Sequence, residues 1–408
     1  MTLRTRRITW AEASARRLER QLLASSAPAT EAGTPVGRAG PVSPADVAAS
    51  MLGAHAQVLS AAELSVGVRT EGLTRSDVRA ALWDDRPEKR TLVKTYGPRG
   101  TVHLLPAREL PLWTAALTAL PTGTSPFPPD VRLSEEQADQ VVAAIGDTLA
   151  EGACLTIDEL SEAVVARTGP WFGEPVMPAF QGMWPRWRQV MHRAGQSGAL
   201  CFGPDRGRKV TYIRPPAFTP LPPTEALASL VRNYLRAYGP ATPAHFAKWA
   251  AVQGGWAGRL FGSSAEAGEI EEVEFEGARA WVVAGDTEFP GPGEGGVRGV
   301  RLLPYFDAYA VAAQPRELLF PGAAYERALA GGQAGNFPVL LVDGVVGGVW
   351  HQRRRGRRTT VTVELLDQLG GLTARQRGEL GERVERVGEV LEATAELVIG
   401  KVEVGPHA

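Results

Sequence analysis

The sequence predicts an α+β fold in which three tandem winged-helix modules are followed by a small β-barrel. Two patterns predict it. A helix, a short extended piece, two more helices and a hairpin follow one another over residues 43–125, and this order recurs over 126–220 and 221–298. From Pro304 onward, residues 299–408 turn mostly to short strands. The three copies are irregularly spaced, so they read as divergent modules and not as a solenoid. The 408 residues, 44% hydrophobic and 22% charged, suffice for several domains with substantial cores.

Residues 1–42 read as an N-terminal helix and a flexible linker. Residues 10–23 place Leu18, Leu22 and Leu23 on one stripe with arginines opposite, and residues 25–40 are rich in Ala, Gly, Pro and Thr. The first module opens at Ser43-Pro44-Ala45-Asp46, with an N-cap serine, a proline at the first helical position and an acid in the first turn. That helix should end near Leu52-Gly53. Ser60-Ala61-Ala62-Glu63 reads as a capping box for a second helix, and Thr74-Arg75-Ser76-Asp77 starts a third. Residues 91–96 and 101–105, separated by Gly97-Pro98-Arg99-Gly100, form the hairpin, or wing.

In the second module Ser134-Glu135-Glu136-Gln137 and Thr156-Ile157-Asp158-Glu159 cap two helices, the first running to about Glu151, and residues 184–197 make the third. Residues 200–202 and 210–213 form its wing. The third module starts at Thr224, runs through Tyr238, opens a second helix at Gly239–Pro243, and has its wing at 270–275 and 279–283. In the barrel region, Asp343-Gly344 joins 339–342 to 345–350 as a strong hairpin signal. Residues 350–358 and 359–365 form a second hairpin, 373–391 a polar helix, and 395–404 a last strand that closes a barrel or sandwich.

Composition excludes several classes. Lys+Arg 44 against Asp+Glu 45 gives a net charge of -1, so any nucleic-acid affinity must come from local patches. Only Cys154 and Cys201 are present, without a CxxC, and the histidines show no metal-ligand spacing, so neither disulfides, a metal nor a cofactor is expected. The basic start, Met1 to Arg7, leads into an amphipathic helix, and no apolar run is long enough to cross a bilayer; a cytoplasmic protein is expected. There is no GxxxxGK[ST], HExxH or GxSxG, and Gly291-Pro292-Gly293-Glu294-Gly295-Gly296 carries a proline and reads as a loop.

Two features point to chemistry. Arg353, Arg354, Arg355, Arg357 and Arg358 put five arginines within six residues at a hairpin tip. Folding gains nothing from that self-repulsion, whereas phosphates and the minor groove reward it. Winged helices present helices and basic wings to duplex DNA, and Lys94 and Arg99 on the first wing, with Arg206, Arg208 and Lys209 on the second, fit the same role. The other feature is Leu52-Gly53-Ala54-His55-Ala56-Gln57-Val58, at the short extended piece of the first module. On a helix His55 and Gln57 would point nearly opposite ways. On an extended segment both project to one side, with Ala54, Ala56 and Val58 facing the core.

The run from Met51 to Leu64 resembles the motif region of the AlkZ-like bacterial DNA glycosylases, as do Gly72 to Leu82, Arg99 to Leu105, Leu302-Leu303-Pro304-Tyr305-Phe306-Asp307 and Gly344 to Trp350 with its following arginines. The resemblance covers nearly the whole chain from Ser43 to Val404. It implies tandem winged helices in a C-shaped DNA-binding concavity with a C-terminal β-barrel, and a monomer acting on double-stranded DNA that carries alkylated guanine. Family members typically carry Gln-x-Gln, or Gln-x-Asp in the YcaQ branch; carried over by position, His55 and Gln57 become the catalytic pair. The implied reaction is monofunctional excision of N7-alkylguanine by water attack at C1′, with His55 accepting a proton and Gln57 orienting the water. The family's substrates include bulky adducts of genotoxic natural products, and several members protect producer bacteria. A non-catalytic winged-helix DNA-binding regulator is the alternative reading.

Overall fold

The computed structural model describes residues 6–24, 42–121, 123, 127–179, 182–291 and 297–405. The expected linker at 25–40 and residues 292–296 of the glycine-rich loop lie outside them. In chain order, β1 (Arg7–Ile8) leads to α1 (Trp10–Arg20), and then come α2 (Pro44–Ser50), β2 (Ala54–His55), α3 (Leu59–Gly67) and α4 (Arg75–Trp83). The hairpin β3 (Leu92–Tyr96) and β4 (Val102–Pro106) precedes α5 (Leu110–Ala119) and α6 (Glu135–Thr148). Next are β5 (Leu155–Thr156), α7 (Ile157–Thr168), β6 (Pro175–Pro178), β7 (Met183–Pro185), α8 (Met191–Gln196), β8 (Cys201–Phe202) and β9 (Thr211–Ile213). They are followed by α9 (Pro223–Tyr238), α10 (Pro243–Ala250), α11 (Gly254–Glu266), β10 (Ile270–Phe275) and β11 (Ala278–Val283).

The C-terminal part holds β12 (Val300–Leu303), the short helices α12 (Ala308–Ala312), α13 (Arg316–Leu319) and α14 (Ala323–Ala328), then β13 (Val339–Val342), β14 (Val345–Arg355), β15 (Arg358–Leu365), α15 (Ala374–Val390) and β16 (Thr394–Ile399). None of the described helices is long and apolar enough to cross a membrane.

Local chemistry sets most helix starts. Ser43 with Asp46, Ser134 with Gln137, Thr156 with Glu159 and Thr373 with Gln376 form complete capping boxes, each satisfying two backbone donors that a helix start leaves open. The box expected at Ser60 does not form. α3 starts two residues earlier with Val58 as its cap, and Glu63 is instead fully buried against Arg79 of α4 at 2.6 Å. The first helix also stops at Arg20, because Leu22 turns into the left-handed region (φ 58°).

Two compact units make up the chain: Met1–Arg79, Val231–Trp249 and Gln253–Ala408 form the first, and Ala80–Leu230 with Ala250–Val252 the second. In the first, five strands run in the order β12-β13-β14-β15-β16, antiparallel except for the parallel pair β15–β16. The expected closed barrel is therefore corrected to an open sheet, with β12 and β16 as its edges. The reason is α15. Its apolar stripe Leu380, Val384, Val387 and Val390 needs burial, and it packs on both edge strands, against Val300, Leu302, Trp350, Val361 and Val363. The opposite face of the sheet carries Val339, Leu341, Val346 and Val349 and is covered by Leu18, Tyr309, Leu319 and Phe320. A further sheet in this unit, β1-β10-β11, recruits a parallel N-terminal strand that two residues were too short to announce.

The basic hairpin also differs from expectation in one respect. β14 is a single strand through Arg355 rather than two strands meeting at Trp350, and a β-bulge at Gly347 of β14, opposite Leu340 and Leu341 of β13, shifts the register. Gly348 is required along it, since a Cβ there would lie 2.4 Å from the Glu364 carbonyl oxygen.

The second unit holds the β3–β4 hairpin, the β5-β9-β8 sheet and the helices α5 to α8. Its expected helix at 184–197 is helical only from Arg186. Trp184 and Pro185 belong to β7, and a 3-10 turn at Arg186–Val190 precedes α8. Arg186 explains the break: its guanidinium stacks on Trp171 at 4.0 Å and pairs with Glu174 at 2.8 Å, holding the chain back to the preceding turn.

Candidate active site and nucleic-acid interface

Three backbone choices deliver His55. Helix α2 ends at Met51, and Leu52 (φ 55°) and Gly53 (φ 91°) both adopt left-handed conformations that reverse the chain. The Gly53 N–H returns to the Ala48 carbonyl at 2.8 Å, and Tyr238 donates its hydroxyl to the Met51 carbonyl. The chain leaves this turn extended. Ala54 and Ala56 are buried, His55 is half-buried and Gln57 is exposed, the alternation that a period of two requires. It fails at Val58, which was expected inward and is 45% exposed: the chain bends at Gln57 and Val58, and Val58 caps α3.

The imidazole of His55 stacks on Phe306, with ring centroids 4.6 Å apart and planes inclined by 30°. Phe306 itself is held in a left-handed conformation (φ 54°), its N–H donating to the Gly335 carbonyl at 2.9 Å. A phenylalanine there is strained and stays only because its surroundings fix it. The next residue does the fixing. Asp307 accepts from both terminal nitrogens of Arg69 at 2.7 and 2.8 Å, from the Ser65 hydroxyl at 2.7 Å and from the Tyr309 N–H at 3.0 Å. Both charged side chains are fully buried. Ser65 lies on α3 and Arg69 just beyond its end, immediately downstream of His55, so this ion pair clamps the 304–307 turn onto the element that follows the histidine. Sequence reasoning gives Asp307 no role and misses Ser65 and Arg69. The one available signal was an arginine four residues after a serine at the end of an otherwise apolar helix.

A cleft of about 180 Å³ opens beside Phe306, between Ser60, Ala61 and Leu64 of α3, residues 304–306, and Trp350, His351 and Gln352 of β14. From there β14 continues into the basic hairpin. Arg355 pairs with Arg358 across the turn, Gly356 takes φ 60°, and all five arginines are exposed. Alternation puts His351, Arg353 and Arg355 on one face, where with Thr360, Thr362 and Lys401 they line an open groove of about 530 Å³. His351 lines both the cleft and the groove, and a strand rise of about 3.3 Å per residue puts Arg355 roughly 13 Å farther along. Burial, reinforced by the charge of Arg353, lowers the His351 pKa, so its imidazole is neutral at pH 7. Among the described residues none of the five arginines forms an ion pair with a carboxylate; Arg354 donates only to the Gly356 carbonyl at 3.0 Å.

The other expected DNA-contacting residues lie in the second unit and are differently placed. Lys94 sits over the Phe202 ring at 5.0 Å, and Arg99 occupies the β3–β4 turn with φ 60°. Arg208 is exposed at the β8–β9 turn, whereas Lys209 pairs with Asp158 at 2.7 Å and Arg206 with Glu159 at 2.8 Å. No group of three His, Cys, Asp or Glu able to hold a metal occurs among the described residues, and burial pushes the Cys201 thiol up to about 12.

Against known proteins, the family model described as DNA glycosylase AlkZ-like matches residues 48–390. An interstrand DNA cross-link repair glycosylase of Streptomyces sahachiroi is 29% identical over 354 residues, 84% of this chain and 87% of the relative. The solved structure of the DNA glycosylase AlkZ from the same organism superposes with a TM-score of 0.74 at 26% identity, covering 96% of this chain and all of that one. An extended His-x-Gln segment stacked on an anchored aromatic turn, beside a strand that ends in exposed arginines, thus sits in a chain that belongs to the AlkZ-like DNA glycosylase family.

Proposed function

We propose that this glycosylase excises guanine alkylated at N7 from double-stranded DNA, with His55 and Gln57 as its catalytic pair. The observation that carries the reading is the His55 imidazole on a two-residue strand, stacked on Phe306, with the exposed Gln57 two positions farther along. An N7-alkylated guanine is cationic and departs without prior protonation. The protein's task is then to hold a water at C1′ and to stabilise an oxocarbenium-like transition state. The Gln57 amide orients the water, whose oxygen bonds to C1′ while the C1′–N9 pair passes to the purine and neutralises it. The water's proton goes to the His55 imidazole. With no lysine in the motif, no Schiff base forms and an abasic site remains. Unmodified purines, which need protonation to leave, are inert.

The exposed arginines favour a DNA contact in which the β14–β15 hairpin lies on phosphates or in the minor groove. Lys94, Arg99, Arg208 and Lys209 contribute from the β3–β4 and β8–β9 hairpins, Lys209 exchanging Asp158 for a phosphate. In this reading residues 43–125, 126–220 and 221–298 act as winged helices, and the protein works as a monomer. The histidine at the first motif position suits a bulky monoadduct of a genotoxic natural product, where the relative from Streptomyces sahachiroi is named for interstrand cross-links.

The test is incubation with a duplex containing N7-methylguanine. The expected result is free modified base by mass spectrometry, an abasic site, and no protein–DNA adduct on borohydride treatment. Sequence-specific footprinting without base release would make the protein a regulator and overturn the reading.

A further inference from the structure

We infer that the cleft beside His55 receives the apolar, planar substituent carried on N7 of the alkylated guanine, and so sets which adducts the enzyme prefers; this rests on the glycosylase reading above. Phe306 belongs to both places, stacking on the His55 imidazole and lining the cleft. A guanine whose C1′ is served by His55 therefore carries its substituent toward Phe306. The walls are aliphatic on the α3 side, at Ala61 and Leu64, and aromatic on the other, at Tyr305 and Phe306. The volume of about 180 Å³ suits one aromatic ring system, since an apolar cavity of about 150 Å³ holds a benzene.

The alternative occupant, the guanine itself, fits the walls poorly. Its edges carry several donors and acceptors, and each one buried without a partner costs about 1–3 kcal/mol. The cleft's polar side chains are few: Ser60, Tyr305, His351 and Gln352, with the Trp350 ring N–H already given to the Leu303 carbonyl. Two of these supply an independent pointer to a ligand. His351 Nδ1 and Gln352 Oε1 are buried with no hydrogen-bond partner among the described residues, and native structures seldom leave such atoms unsatisfied. After a side-chain rotation, a hydroxyl or amide on the substituent would satisfy one of them. The site thus selects a flat, mostly apolar group with one polar function.

The experiment compares single-turnover excision from duplexes carrying N7-benzylguanine and N7-methylguanine, using wild type, Ser60→Trp and Val58→Trp. Both replaced side chains are exposed at the start of α3 and line the cleft, so a large ring there fills it without disturbing the core. In each variant the benzyl-to-methyl rate ratio is expected to fall at least about tenfold, a discrimination of the size a filled apolar pocket gives, with the melting temperature unchanged. An unchanged ratio in both variants would overturn the inference. So would an equal fall of both rates, which would mean that the cleft holds the base. Wild type that releases neither base defeats the glycosylase reading itself and the inference with it, an outcome distinct from release of both at a ratio the variants do not alter.

Discussion

At the scale of single residues, the buried pair Arg69–Asp307 anchors the turn whose Phe306 stacks on His55. Both side chains are at 0% exposure, and Asp307 takes hydrogen bonds from Ser65 and Tyr309 besides. Removing one partner strands a buried charge, so Asp307→Ala is expected to cost about 3–5 kcal/mol in urea unfolding. Removing both, in Arg69→Met with Asp307→Leu, should recover most of that stability. If the double variant remains as unstable as the single one, the cost does not lie in the stranded charge. Base release should stay low in both, because Phe306 loses its anchor. The burial of Ala54 and Ala56 between the more exposed His55 and Gln57 was legible in the sequence because a period of two is a local property of the chain. Arg69 and Asp307 are 238 positions apart, and nothing local declares that two buried charges will meet.

At the scale of elements, two features decide where the motif stands and what it serves. α3 lies so close to α15 that a Cβ on Gly67 would sit 2.4 Å from the Val390 side chain, while Arg386 donates to the Gly67 carbonyl at 3.1 Å. Gly67→Ala is therefore expected to destabilise by about 1–3 kcal/mol through overpacking, and Val390→Ala in the same chain to relieve it; calorimetry of the two single variants and the double variant checks the coupling. Destabilisation that Val390→Ala fails to relieve would place its cause elsewhere. The β14–β15 hairpin makes a separate case. Its arginines have no carboxylate partners among the described residues, so they are available to phosphates. Arg353→Gln with Arg355→Gln should lower the slope of log K against log salt by about 0.9 for each phosphate left unneutralised, read from binding titrations. An unchanged slope would take the hairpin off the DNA. Helix starts such as Ser134 and Thr156 were readable because a capping box is written within four residues. The start of α3 was not, because Glu63 is claimed by Arg79 from another helix, and the barrel stayed open because α15 packs on both of its edges.

At the scale of the whole molecule, a net charge of -1 leaves DNA affinity to a local feature, and stability should follow pH through half-buried histidines. Burial lowers the pKa of His245 and His351, that of His245 to about 4, helped by Arg17 and Lys248. An unfolded histidine binds its proton near pH 6.5, so between there and about pH 4 the unfolded chain holds more protons than the folded one. Stability is then fully present above pH 6.5 and lost as pH falls toward 4, with at most about 3 kcal/mol from His245. His245→Gln keeps a residue able to complete the cap with Thr242, so thermal melts should show its transition falling less between pH 7.5 and 5 than that of the wild type. Parallel falls would assign the acid sensitivity to other groups. The central claim is that His55 and Gln57 perform the excision. The most direct measurement is the single-turnover rate of N7-alkylguanine release by His55→Ala and Gln57→Ala, taken with the DNA affinity of the same variants. Rates lower by roughly 10²–10⁴ at unchanged Kd are expected of groups that handle the water. Wild-type rates in both variants, or a loss explained wholly by weaker binding, would contradict it.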